Sequence, residues 1–165
     1  MILVDTNLLV YVVQRESPFH ARAQAWWNGL LNGDELVGLP WTTVMGFLRV
    51  STNGRLFPAA LTVDRALGVV DDWLQSRLVS VVEPGAGHWP IMRELLLEAG
   101  RGANLITDAH LATLCIERGA TLHTADGDFS RFRGLRWFNP LVEAEVRHAT
   151  PQCVAPTRTA ARIHG

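Results

Sequence analysis

An uninterrupted apolar run, Met1-Ile2-Leu3-Val4, stops on Asp5 and the polar pair Thr6-Asn7. A second apolar series, Leu8, Leu9, Val10, Val12 and Val13, begins at once. Continuous apolar character over so few residues describes a strand covered on both faces, the habit of a parallel sheet. In open parallel sheets ligands collect beyond the carboxyl ends of the strands, and Asp5 stands at such an end. Taken alone, Asp5 is equally a cap for the helix starting near Leu8, because Asp, Thr and Asn all accept from free helical N–H groups. The rest of the chain decides between these readings.

Downstream, short apolar runs alternate with segments of helical period. Leu8 to Gln14 reads as a helix, and Ser17-Pro18 opens a second, with Phe19, Ala23, Trp26, Trp27, Leu30 and Leu31 on one face and Asn32-Gly33-Asp34 at its end. Leu36 to Leu39 is a strand, and Pro40 leads into a helix running to Val50. After the loop Arg55 to Leu61, Thr62 caps a helix whose buried face is Val63, Leu67, Val70, Trp73 and Leu74. Leu78 to Val82 is a strand, Trp89 to Ala99 a helix, and Gly100-Arg101-Gly102 a loop. Thr107 is placed to cap the helix Asp108 to Arg118, with Gly119 as its C-terminal stop. Thr121 to Thr124 is a further strand, Phe129 and Phe132 mark a helical turn, and Leu135 to Phe138 is the last strand. This alternation predicts an α/β fold, a three-layer α/β/α sandwich around a central parallel sheet of about five strands. One domain is expected over residues 1–147. Residues 148–165, rich in Pro, Thr and Arg and without apolar periodicity, read as a flexible tail carrying Arg158 and Arg162.

A length of 165 residues with 48% hydrophobic and 19% charged residues suffices for one core, and a formal net charge of -1 gives no global sign of nucleic-acid binding. All basic side chains are arginine. Local basic patches therefore consist of guanidinium groups, which suit bidentate phosphate contacts. Cys115 and Cys153 have neither metal-ligand spacing nor a disulfide framework and read as reduced thiols, which points to the cytoplasm. No signal peptide and no apolar run of membrane-spanning length is visible.

Carboxylates recur at the ends of the expected elements: Asp5 after the first strand, Asp108 at a helix start, and Asp126 with Asp128 after the fourth strand. Each alone is explicable as a cap or turn residue. Together, without lysine and without adjacent Cys or His, they suit a hard cation, magnesium or manganese, which takes oxygen ligands. Clustered carboxylates repel and raise one another's pKa, and a cation relieves this. Such a centre can polarise a phosphoryl oxygen, acidify a bound water and orient in-line attack. Thr6, Asn7 and Thr124 are placed to orient water or the carboxylates. A phosphatase-like use of Asp5 as nucleophile fits less well, since Asn7 stands where those enzymes carry a second acid and no lysine is present.

Four segments carry a specific resemblance. Ile2-Leu3-Val4-Asp5-Thr6-Asn7, then Phe47-Leu48-Arg49 with Thr52-Asn53, then Thr107-Asp108-Ala109-His110-Leu111-Ala112, and last Thr124-Ala125-Asp126-Gly127-Asp128-Phe129 closed by Phe132, together resemble the PIN-domain ribonucleases. In particular they are similar to the VapC toxins of bacterial VapBC toxin-antitoxin pairs. The resemblance runs in order from about residue 1 to Leu141. It implies a PIN-like α/β/α fold, a magnesium- or manganese-dependent endoribonuclease, an RNA substrate such as a tRNA or rRNA loop, a homodimer, and neutralisation by a VapB-type antitoxin. By motif position, Asp5, Asp108 and Asp126 match family acids and are the implied catalytic residues. With Asp128 as an accessory carboxylate they are also the implied metal ligands. Arg15, Arg49 and Arg131, with Arg55 and Arg133, are candidates for RNA phosphates.

One position departs from the pattern. The family's second acid lies three residues before the Arg of the third helix, and here that place is Gly46. Water, Asp128, Glu94 or Glu98 would have to substitute. The alternative that follows is a catalytically weakened PIN fold that binds RNA or protein.

Overall fold

The computed structural model describes residues 1–100 and 105–142. The expected tail at 148–165, Arg147, Cys153 and the Arg101-Gly102 part of the expected loop lie outside the described residues. Twelve elements follow in order: β1 (Ile2–Val4), α1 (Thr6–Val13), α2 (His20–Leu31), β2 (Val37–Pro40), α3 (Trp41–Ser51), α4 (Val63–Leu74), β3 (Val79–Val82), α5 (His88–Ala99), α6 (Leu105–Arg118), β4 (Thr121–His123), a 3-10 turn (Gly127–Arg131) and β5 (Arg136–Phe138). The sheet has five parallel strands in the order β3-β2-β1-β4-β5. The three-layer α/β/α expectation holds.

β1 lies mid-sheet, and its three residues are all buried, as the apolar run requires. Strand alternation divides them between two cores. Ile2 and Val4 join α1, α2, α3 and α4 through Leu9, Trp27, Phe47 and Trp73. Leu3 points the other way, with Leu122, to Leu95, Ala109, Leu114 and Cys115 of α5 and α6. The chain builds outward from β1 to β2 and β3, then returns to place β4 on the other side of β1. The switch between these directions falls between β1 and β4, and the carboxyl ends of the strands at such a point are the usual ligand position in these sheets.

Two helix starts differ from the sequence expectation. α2 begins at His20 rather than at Ser17, whose hydroxyl accepts from the N–H of Phe19 at 3.2 Å and turns the chain instead. α6 begins at Leu105, so Thr107 is an exposed helical residue and not its cap, and Asp108 lies on the first turn itself. Buried Leu105 and Ala109 provide the reason, because they extend the apolar face one turn earlier against the second core. Thr62 does cap α4, accepting from the N–H of Arg65 at 3.3 Å. Gly119 takes the left-handed conformation, φ 58, that ends α6.

Candidate functional site

Asp5 is the residue between β1 and α1, and its carboxylate makes no cap hydrogen bond to that helix. It turns across the sheet instead. Its Oδ2 accepts from the Thr124 hydroxyl at 2.7 Å and from Asn7 Nδ2 at 2.8 Å. Asn7 Nδ2 also lies 3.1 Å from Thr124 Oγ1, and Asn7 Oδ1 accepts from the N–H of Ala125 at 3.2 Å. Thr124 is fully buried just beyond β4, and its oxygen further accepts from the N–H of Asp126 at 3.0 Å. These contacts span more than a hundred residues of sequence because β1 and β4 are paired neighbours, Val4 beside His123. A carboxylate gripped this way at one oxygen is oriented.

Asp126 Oδ1 accepts from the N–H of Asp128 at 2.8 Å and caps the 3-10 turn. Asp128 pairs with Arg131 at 2.7 Å. Asp108, on α6, lies in the field of all three other acids. Its pKa is pushed up to about 6, first by burial and then by Asp5 and Asp126, with Asp128 adding and the Arg131 guanidinium drawing it back. Burial also raises the pKa of Asp5; the Thr124 hydroxyl opposes this and Asp126 reinforces it. Burial first, and the neighbouring negative charge second, thus disfavour ionisation of Asp5 and Asp108, and one exposed arginine offsets this at Asp108 only in part.

The donor set fits a hard divalent cation. It consists of oxygens alone, and mutual repulsion is what a cation relieves. Among the described residues there is no group of three or more His, Cys, Asp or Glu side chains that could by itself hold a metal ion. Magnesium does not require one, because it keeps several waters and binds through one or two carboxylates.

The other sequence candidates are distributed unevenly. Thr6 opens α1, its hydroxyl donating to the Thr43 carbonyl at 3.4 Å. Arg131 is at the rim beside Asp128. Arg49 is exposed on the last turn of α3, one turn beyond Gly46. Arg15 sits past the opposite end of α1, where it lines a separate cavity with Gln14, Trp27, Arg65 and Trp73. Glu94 and Glu98 are exposed on α5, and the acids felt by Asp108 are Asp5, Asp126 and Asp128.

Sequence reasoning missed one polar cluster. Glu117 Oε2 lies 2.8 Å from His88 Nδ1, and His88 Nε2 lies 2.9 Å from His110 Nδ1. Only the seven-residue spacing of His110 and Glu117 on α6 hinted at a shared face. His123, close in sequence to the acids, is structural: its Nδ1 accepts from the Trp26 indole at 3.1 Å, and burial lowers its pKa to about 4.

Comparison with known proteins identifies the family and the fold. The PIN domain family model matches residues 2–135. Ribonuclease VapC37 of Mycobacterium tuberculosis is 39% identical over 140 residues, covering 85% of this chain and 97% of the relative. Ribonuclease VapC33 of the same species is 40% identical over 143 residues, 87% of this chain and all of the relative. Among solved structures, VapBC2 from Rickettsia felis superposes with a TM-score of 0.63 at 19% identity, covering 84% of this chain and 98% of that one. VapC20 of Mycobacterium tuberculosis, described as a sarcin-ricin loop cleaving toxin, does so with 0.60 at 20% identity, over 82% and 99%. The chain belongs to the PIN-domain family and, within it, to the VapC ribonucleases.

Proposed function

We propose that this chain is the toxin of a toxin-antitoxin pair, an endoribonuclease in which Asp5, Asp108, Asp126 and Asp128 hold magnesium or manganese. The observation that carries the reading is the convergence on Asp108 of the fields of Asp5, Asp126 and Asp128, a self-repelling group at the topological switch point. When bound there, the cation supplies phosphoryl polarisation and an acidified water. The chain's own residues prepare the rim. Asn7 and Thr124 favour the ionised form of Asp5 and fix its direction. Asp126 is steadied by the turn it caps. Arg131, exposed and paired with exposed Asp128, offers its guanidinium to an RNA phosphate at the same rim. Unpaired loop nucleotides, whose bases can be splayed, supply the sequence choice.

A partner segment also has a seat. The cavity of about 540 Å³ between α1, α2 and α4 is lined by Val12, Trp27, Leu61 and Trp73 among others. An antitoxin segment laid there packs apolar side chains against Val12, Leu61 and Trp73.

The competing reading, a binding module lacking turnover, rests on Gly46. Relatives that carry the ribonuclease name over nearly the whole chain favour the enzyme. Purified protein is expected to cut loop-containing RNA with Mn2+ and to stop on chelation, with Asp5→Ala inactive. Tight RNA binding without any cleavage would instead establish the binding module.

A further inference from the structure

Gly46 lies in the interior of the eleven-residue helix α3. Its backbone does not need glycine, since it is not among the residues with positive φ. Glycine there costs about 1 kcal/mol of helix propensity against alanine. The close approach of a neighbour explains it. A Cβ at position 46 would meet Thr6 Oγ1 at 2.6 Å, Thr6 Cγ2 at 3.1 Å and Thr6 Cβ at 3.4 Å. The first of these is shorter than packed atoms tolerate, so any side chain at 46 displaces Thr6.

Thr6 does not yield cheaply. It is β-branched, with few χ1 wells to move to, and it follows Asp5 directly at the start of α1. Its hydroxyl donates to the Thr43 carbonyl at 3.4 Å, and the Thr43 hydroxyl donates to the Val4 carbonyl at 3.0 Å. Val4, Thr43 and Thr6 thus tie the end of β1 and the start of α1 to the first turn of α3, bracketing Asp5 on both sides. No protein donor reaches Thr6 Oγ1 among the described residues.

We propose that Thr6 is a positioning residue of the carboxylate site and that Gly46 is the recess in α3 that admits it. The α3 side of the site is then built from a hydroxyl in place of a carboxylate. The Thr6 oxygen keeps its lone pairs to orient a water beside Asp5. The recess stands on geometry alone; the hydroxyl's role in turnover rests on the nuclease reading.

Thermal unfolding of the full chain in a double-mutant cycle tests the recess. Gly46→Ala alone is expected to lower Tm by about 3 °C or more. In a Thr6→Ala background the same change should leave Tm unchanged or raise it, because only the ordinary 3.4 Å contact with Cβ remains. Equal Tm shifts in both backgrounds overturn the recess. Positioning is read by kinetics. Thr6→Val, equal in shape, should keep Tm and KM but lose about tenfold in kcat, with Thr6→Ser restoring it; a fully active Thr6→Val overturns the positioning role. Gly46→Glu should lower both Tm and activity, and a gain in both overturns the recess. Wild-type protein that cleaves no RNA overturns the nuclease reading and the hydroxyl's role with it, while the thermal cycle still decides the recess.

Discussion

Near its N-terminus α6 contributes Asp108 to the carboxylate rim, and nearer its C-terminus it contributes Glu117 to a cluster with His88 and His110. The second cluster is closed. Glu117 accepts from His88 Nδ1 and from the N–H of Gly85, His88 and His110 share a proton, and the side chains of His88 and Glu117 are only 12% and 9% exposed. Every charge there meets a complementary partner of the protein's own, and α5 is pinned to α6. The rim is the reverse. Several acids face one another, one arginine compensates in part, and Asp108 holds its proton up to about pH 6. A polar cluster that satisfies itself is a fastener, whereas one left electrostatically incomplete awaits something from outside the chain.

The largest effect that would sharpen this contrast is at Asp108. Asp108→Asn is expected to reduce RNA cleavage about 100-fold or more while raising the Tm of metal-free protein, because repulsion is removed. Loss of Tm together with activity would make Asp108 a structural residue and erase the distinction. Next is Thr124→Val, which keeps shape but removes the donor to Asp5. Mn2+ affinity by calorimetry should weaken about 10- to 100-fold, and unchanged affinity would show that the grip on Asp5 does not serve a cation. At the closed cluster, Glu117→Gln should cost about 1–3 kcal/mol, read as a lower denaturation midpoint, with cleavage within about twofold of wild type. A large fall in cleavage there would make the fastener part of the site.

The smallest expected effect concerns pH. The Asp108 pKa is raised above its ordinary value of 3.8, so the unfolded chain releases this proton first and wild-type stability falls relative to the variant as pH rises. In metal-free protein the Tm advantage of Asp108→Asn should therefore be near zero at pH 3.8 or below, grow up to about pH 6 and then level off. An advantage that shrinks with rising pH would contradict a repulsive rim.

Much was legible from local pattern. The run Ile2–Val4 is buried on both faces and reads as a central strand for that reason. Asp5, Asp126 and Asp128 stand at element ends, as turn chemistry requires. The first turn of α6 was misread because Thr107 and Asp108 resemble a cap, while the apolar face through Leu105 and Ala109 that overrides them shows only against a packed neighbour. Arg15 reads in the sequence as a candidate for RNA phosphate alongside Arg131, yet it lines the separate cavity, because sequence does not state which end of α1 faces the acids.

The sequence by itself determined the elements, the parallel sheet and the acids at its strand ends, since burial periodicity and turn preferences act over a few residues. Only the tertiary structure decided that β4 returns to lie beside β1, which brings Thr124 to Asp5 and the field of Asp126 to Asp108. It also decided that Thr6 fills the space above Gly46. Contacts between residues so far apart depend on which strands pair and how closely two helices approach, and no local preference encodes either.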